Sequence, residues 1–234
     1  MWDDASLLRG MANALFGLGA VLLLVIALRI VLQRPEFPLH RVDLTAAPTH
    51  VPVEALQRVV REQVRGNFFT VDMARLRQGL EGLPWVRKVS VRRQFPWALQ
   101  VEIEEQVALA RWNRTALVNT HGEVFTAQTE AKLPEFIGPA ERAADMAQRY
   151  VAWAELIRPL GQRIAQVSLS SRYAWQVQLE NGTLLELGRE QMEERLARFV
   201  RAYPYSLGAG GAQLRRVDLR YRNGFAVQTA DSQV

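Results

Sequence analysis

Residues 86–105 read VRKVSVRRQFPWALQVEIEE, and their pattern decides the fold of the first half of the chain. Val89-Ser90-Val91-Arg92 and Leu99-Gln100-Val101-Glu102-Ile103-Glu104 alternate apolar and polar side chains with period two, which puts the apolar set on one face of each strand. Gln94-Phe95-Pro96-Trp97 interrupts the alternation, so the two runs predict an antiparallel hairpin. Pairing Val91 with Val101 and Val89 with Ile103 brings the apolar faces together and sets the register. Lys88 then falls opposite Glu104 and Arg92 opposite Gln100, cross-strand pairs worth about a few tenths of a kcal/mol each. The core face selects the register, and the charges agree with it.

Upstream, Leu39-His40-Arg41-Val42-Asp43-Leu44 has the alternation of a short half-buried strand, and the segment between Pro48 and Pro52 turns the chain. Leu56, Val59, Val60 and Val64 then form one helical face, ended by Gly66-Asn67. Phe68-Phe69-Thr70-Val71 connects it to a second helix with Met73, Leu76 and Leu80 on one face and Thr70 or Asp72 as its cap. Gly82 and Pro84 stop that helix. Residues 39–105 therefore read strand, helix, helix, strand, strand.

Downstream of Leu109 the chain turns mainly to strands. His121-Gly122, Asn181-Gly182 and Asn223-Gly224 each separate short apolar runs, and Asn-Gly suits the positive φ of tight type I′ hairpins. Residues 175–179 and 183–187 flank the second turn; residues 217–222 and 225–228 flank the third. One helix carries Met146, Tyr150, Trp153 and Ile157, and another carries Met192, Leu196, Phe199, Val200 and Tyr203, with Glu194 and Arg198 as an exposed i, i+4 pair. Gly208-Ala209-Gly210-Gly211 lacks the lysine and helix start of a phosphate cradle and reads as a loop.

The longest apolar stretch lies near the N-terminus. Met11 through Leu28 is uncharged, about 27 Å of helix against a hydrocarbon core of about 30 Å, and continuing to Leu32 closes the gap. Arg29 sits near one end, where its long stem lets the guanidinium reach the headgroups. The stretch exceeds the apolar region of a secretory signal and runs into Arg29-Ile30-Val31-Leu32-Gln33-Arg34 rather than a small-x-small site, so an uncleaved anchor is expected. Arg34-Pro35-Glu36-Phe37-Pro38 makes a stiff linker. The expected layout is a cytoplasmic stub (1–10), a transmembrane helix (11–32), a linker (33–38), one domain (39–108), a β domain (109–228) and a tail (229–234). Arg9 before the span against Arg29, Arg34 and Arg41 after it points, by charge count alone, away from a cytoplasmic N-terminus, but large domains translocate with little regard for such charges.

The composition is globular, with 49% hydrophobic and 23% charged residues, and cysteine is absent, which removes disulfides and thiolate chemistry. The net charge of +5 is almost wholly arginine, since Lys88 and Lys132 are the only lysines. These arginines are dispersed and interleaved with glutamate, and no nucleic-acid module accompanies them, so a basic surface facing anionic polymers or lipids is the reading. Catalytic patterns are missing: there is no GxSxG, SxxK or HExxH, and His40, His50 and His121 lack ligand spacing. Glu102, Glu104 and Glu105 could be imagined as glycosidase carboxylates, but Glu102 and Glu104 share the solvated strand face. No cofactor or metal and no enzymatic activity is expected. A membrane-anchored cell-wall hydrolase would need an acid and base in a cleft. A polypeptide transporter would need a membrane β-barrel after its repeats, and no barrel-length strand series appears.

With residues 82–96 (GLPWVRKVSVRRQFP), Ala110-Arg111-Trp112-Asn113, Arg195-Leu196-Ala197-Arg198-Phe199 and Val217-Asp218-Leu219-Arg220-Tyr221 in this order behind one anchor, the chain resembles the bacterial FtsQ/DivIB cell-division family along its whole length. The resemblance implies an α+β architecture: one transmembrane helix, a POTRA domain (β-α-α-β-β), and a mainly antiparallel β domain with two helices. It implies a septal scaffold in the inner membrane, its bulk periplasmic, that recruits and regulates peptidoglycan synthesis. Implied partners are FtsB and FtsL, the upstream protein FtsK, and the synthesis proteins FtsW and FtsI, with self-association also open. The FtsB/FtsL contact maps onto the last strands at Arg220, Tyr221, Phe225 and Val227, with Tyr173 on the neighbouring hairpin; upstream recruitment maps onto Lys88, Val91 and Arg93 of the POTRA hairpin. Phe225 is bulkier than the small residue the family pattern implies.

Overall fold

The computed structural model describes residues 5–32, 39, 41–206, 214–222 and 224–229. Helix α1 spans Ala5–Leu32, so it begins inside the segment expected to be an unfolded stub. Its stretch Arg9–Val31 is long and apolar enough to cross a membrane and buries none of its surface within the protein. A helix apolar on every side and covered by nothing is stable in hydrocarbon, where its backbone groups bond internally. The linker expected at 33–38, His40, the glycine-rich loop at 208–211 and Asn223 lie outside the described residues.

Two compact units follow from the contact pattern, residues 1–105 and 106–234. Beyond α1, the first contains β1 (Arg41–Leu44), α2 (Val53–Gln63), α3 (Met73–Glu81), β2 (Val86–Gln94) and β3 (Ala98–Glu105). The strands form a sheet of order β1-β3-β2, β1 parallel and β2 antiparallel to the central β3. The register is the expected one, with Val91 opposite Val101, Val89 opposite Ile103 and Lys88 opposite Glu104. A one-residue irregularity between Val86 and Lys88 changes the charge pairing, and Arg87 rather than Lys88 makes the ion pair with Glu104, at 2.6 Å. Leu56, Leu76, Leu80, Val89, Leu99 and Val101 pack into one core between the helices and the sheet.

Polar groups fix the loops of this unit. Asp72 caps α3 by accepting the N–H of Arg75 at 3.0 Å, whereas Thr70, the other candidate, is engaged in a turn with Asn67. Glu105 accepts the backbone N–H groups of Thr49, His50 and Val51 at 3.0, 2.9 and 3.0 Å, which fastens the approach to α2 onto the end of β3. Burial alone would push this carboxyl up in pKa, but the three N–H groups and the His50 ring together hold it below the ordinary carboxylate value.

The second unit has β4 (Ala108–Trp112), β5 (Ala116–Asn119), β6 (Val124–Phe125), β7 (Glu135–Ile137), α4 (Ala143–Ile157), β8 (Ile164–Leu169), β9 (Trp175–Leu179), β10 (Leu184–Gly188), α5 (Met192–Ser206), β11 (Leu214–Asp218) and β12 (Ala226–Thr229). Its nine strands form one sheet of order β12-β11-β10-β9-β8-β7-β4-β5-β6. Most neighbours are antiparallel, but β7 runs parallel to β4 and β8, and β10 runs parallel to β11. The β7–β8 and β10–β11 connections contain α4 and α5, as parallel neighbours require a crossover. Both helices contribute to a core of Phe136, Met146, Trp153, Ile157, Val177, Leu185, Leu187, Leu196, Phe199 and Val217. Complete burial of such a side chain stabilises the fold by about 1.5–3 kcal/mol.

Two of the expected tight turns are of another kind. At residues 179–183, Gly182 N–H bonds to Leu179 O and Leu179 N–H to Thr183 O, with φ of +89° at Gly182. Residues 119–123 repeat the pattern, with Gly122 at φ +80°. Each is a longer turn closed by a left-handed glycine, the type I turn plus bulge, rather than a two-residue type I′ turn. At Gly122 a Cβ would also stand 2.4 Å from Ala144 Cα, so space and φ both demand glycine.

Candidate functional site

Strand β12 lies at one edge of the nine-stranded sheet and, among the described residues, pairs with β11, with Val227 opposite Val217 and Ala226 opposite Asp218. Its residues Ala226, Val227 and Gln228 are exposed. Edge strands are ordinarily blunted by charge or proline; Ala226-Val227-Gln228-Thr229 carries neither. Thr229, expected in a loose tail, belongs to this strand. The opposite edge, β6, is only two residues long.

The third hairpin differs from expectation in its connection. β11 ends at Asp218 and β12 begins at Ala226, so Arg220, Tyr221 and Phe225 lie on the segment between them rather than on a strand. A carboxylate captures the chain at that point: Asp218 accepts Arg220 N at 3.0 Å, Nε at 2.8 Å and Nη2 at 2.6 Å. Arg220 also approaches buried Glu186 at 3.2 Å, and Glu186 pairs with Arg216. The Arg220 hydrogen bonds, opposed by burial and aided by the charges of Arg220 and Arg216, hold Asp218 below the ordinary carboxylate range. The hydrogen bonds to Asp218, with the negative charges of Asp218 and Glu186, outweigh burial and raise the Arg220 pKa, so the guanidinium stays charged. Arg220 is thereby a positioning group whose side chain is already engaged.

Helix α5 supplies the rest of the frame. Arg195 donates to Leu187 O at 2.7 Å, and Arg198 donates to Arg222 O at 2.5 Å and Tyr221 O at 3.3 Å. Arg198 was expected to form an exposed pair with Glu194; its observed bonds instead hold the connecting segment. Phe199 meets Phe225 edge to face at 6.0 Å, so Phe225 is half-buried against the core. Val227 shares the sheet face of Phe225 but is exposed, and Tyr221 is 58% exposed. Tyr173, 53% exposed, occupies the β8–β9 turn at φ +59°, with the Arg142 guanidinium 5.6 Å above its ring. Its neighbour Ala174 lines a cleft with Gly188, Arg195 and Arg220, which places the β8–β9 turn and the β11–β12 segment at one end of the sheet. Tyr173, Tyr221 and Val227 are thus exposed; Arg220 is exposed too but has its guanidinium engaged by Asp218 and Glu186, and Phe225 is half-buried against the core.

The other expected site lies on β2, an edge of the three-stranded sheet. Lys88 is exposed on the face away from the helices, whereas Val91 packs against the core. Arg93 follows Val91 on the helix-side face and donates to the carbonyls of Phe68, Phe69 and Val71 at 2.8, 3.1 and 3.4 Å. It ties β2 to the α2–α3 connector. Lys88 alone of the three leaves its side chain on the open face. Of the carboxylates weighed for hydrolysis, Glu104 pairs with Arg87 and Glu105 accepts three backbone N–H groups, while Glu102 is exposed. Among the described residues no cluster of three His, Asp or Glu could hold a metal ion.

Sequence reasoning missed Arg195 and Arg198 as the groups that hold the connecting segment, and Glu186 as the buried carboxylate between Arg216 and Arg220. A signal for Glu186 existed: it interrupts Leu184-Leu185-Glu186-Leu187, where a buried charge requires a partner.

Comparisons with known proteins agree with these two units. The family model described as POTRA domain, FtsQ-type, matches residues 37–106, and that described as Cell division protein FtsQ/DivIB, C-terminal, matches residues 110–220. The chain is 40% identical to the "Cell division protein FtsQ" of Nitrosospira multiformis over 97% of this chain and 99% of the relative. It is 38% identical to the protein of that description in Burkholderia pseudomallei, covering 98% and 95%, and 36% identical to that of Bordetella pertussis, covering 98% and 93%.

Proposed function

Because the chain belongs to the FtsQ/DivIB family of cell division proteins, we propose that it is a septal scaffold of the inner membrane that captures partner strands on two sheet edges. The helix α1 and the family fit a single-pass membrane protein. In this reading residues 1–10 are cytoplasmic and everything after the span is periplasmic. The protein is not an enzyme; it recruits FtsB and FtsL, and through them the septal synthesis proteins FtsW and FtsI.

The observation that carries the reading is the uncharged, proline-free β12 edge beside exposed Tyr221 and Val227. An incoming strand gains main-chain hydrogen bonds from such an edge and specificity from alternate side chains. FtsB is the proposed source of that strand, with Tyr173 and Tyr221 supplying side-chain contacts at the end where β12 begins. The β2 edge presents exposed Lys88 and Arg92, which suit an acidic segment; we assign it to the upstream protein FtsK.

Affinity purification of the full-length chain from detergent-solubilised membranes tests the reading. FtsB and FtsL should accompany the parent chain and be lost from folded β12 proline variants. Their retention by every folded edge variant would remove the β12 proposal. A reporter fused after Val234 that works only in the cytoplasm would remove the topology.

A further inference from the structure

The geometry points to a bilayer-docking tip on the first unit, in which Phe95, Trp97 and Phe69 rest on the headgroup surface of the membrane that α1 crosses. This goes beyond the scaffold reading and rests only on α1 spanning a membrane. Phe95 in the β2–β3 turn is 81% exposed, an unusual placement for phenylalanine in water. Phe69 is exposed beside it, and Trp97 joins the two, with ring centroids 6.0 Å from Phe95 and 6.1 Å from Phe69. Trp97 takes φ of +62°, a left-handed conformation that bulky residues rarely adopt. Trp97 is half-buried and packs edge to face on buried Phe68 at 5.5 Å, so it anchors the turn to the unit while Phe95 and Phe69 stay exposed on either side of it.

Chain length places this tip near lipid. Leu32 ends α1 and Arg41 starts β1, a separation of nine residues that spans at most about 30 Å. Arg41 pairs with Ala98, the residue directly after Trp97, so the chain enters the sheet at the end that carries the tip. Leu44 pairs with Val101 toward the other end. The chemistry suits an anionic bilayer: Phe and Trp rings favour the interface, and Arg41 and Arg92 flank the turn as exposed cations. Asp43 neutralises part of the Arg41 charge, with a 2.9 Å ion pair. The tether makes docking intramolecular, so contact with individually weak groups suffices.

The absence of cysteine allows a direct test in the full-length chain. Phe95→Cys and Ala46→Cys, each spin-labelled and reconstituted into phosphatidylcholine vesicles with phosphatidylglycerol, report depth by collision with oxygen against a water-soluble nickel chelate. The label at 95 should favour oxygen and that at 46 the chelate, and Arg41→Glu with Arg92→Glu should shift the label at 95 toward water. Phe95→Cys deletes part of the tip, so the native tip is measured separately through brominated lipid. The emission difference between the parent and Trp97→Phe should lose most of its intensity in that lipid. Equal chelate access at both labels, together with an unquenched Trp97 component, would overturn the proposal. Partner capture at β12 lies in the other unit and would stand unaffected by that result.

Discussion

Arg198 on α5 donates from Nη1 to the carbonyl oxygen of Arg222 at 2.5 Å, a bond across 24 residues that holds the segment between β11 and β12 against the preceding helix. Its second bond, to Tyr221 O, fixes the backbone that presents the exposed Tyr221 ring. Arg198→Ala should cost about 1 kcal/mol of stability or less, since hydrogen bonds from charged groups are worth about 1.5–3 kcal/mol when well sheltered and these are exposed. Hydrogen exchange at the amides of Tyr221 and Arg222 should accelerate, and FtsB capture should weaken. Arg198→Lys should fall between the parent and Ala, because one ammonium cannot span both carbonyls as the guanidinium fork does.

Backbone capture at β12 makes a positional prediction. Successive N–H groups of a strand point to opposite edges, so of Ala226→Pro and Val227→Pro one removes an outward donor and the other an inward one. The outward substitution should abolish FtsB pull-down with an unchanged circular dichroism spectrum. The inward one should lower the melting temperature. Two folded variants that both retain FtsB would rule out strand addition.

Tyr221 and Phe225 should separate binding from folding. Tyr221→Ala is expected to cost about 2 kcal/mol of partner affinity, roughly thirtyfold, with little change in melting temperature. Phe225→Ala loses the edge-to-face contact with Phe199 and should cost about 1–2 kcal/mol of stability. Titration calorimetry and thermal melts on the same preparations distinguish the two effects.

Glu105 gives the first unit an acid-sensitive latch. Its folded-state pKa lies below the ordinary value of 4.5, so the carboxylate contributes stability that is fully present above that value and is lost as pH falls through the depressed one. Glu105→Gln should lower the urea midpoint at neutral pH, and its deficit relative to the parent should shrink as pH falls below 4.5. A deficit independent of pH would show that the charge does not matter.

On β2, Arg93→Ala should destabilise the first unit by about 1–2 kcal/mol, because three carbonyl contacts disappear together. Lys88→Ala should leave stability unchanged and reduce only the retention of an acidic partner. If Arg93→Ala melts like the parent while losing FtsK, its role is contact rather than framework.

The first unit was largely legible because its signal is local. Alternation at Val89, Val91, Val101 and Ile103 has one register that joins the apolar faces, and the structure adopts it. The apolar stretch of α1 is similarly self-contained. The parallel insertion of β7 between β4 and β8 was not legible, since Glu135–Ile137 is three residues long and its pairing depends on distant strands. Asn-Gly steps marked turns but not their geometry, because the glycine can close a longer turn by itself. Arg198 was misassigned for a related reason: helix spacing offers Glu194, and only the tertiary fold offers the carbonyls of Tyr221 and Arg222.

The unequal sheet edges also restrict stoichiometry. β6 has two residues and β12 has four, so the long edge can host a single added strand at any moment. Two copies joined edge to edge through β12 would occupy both of these surfaces, and each heterologous strand would have to displace a copy. Pairing of β12 with a second copy and the proposed capture of a partner strand would therefore compete for one edge, and the balance between them would follow the abundance of the partner relative to the chain itself.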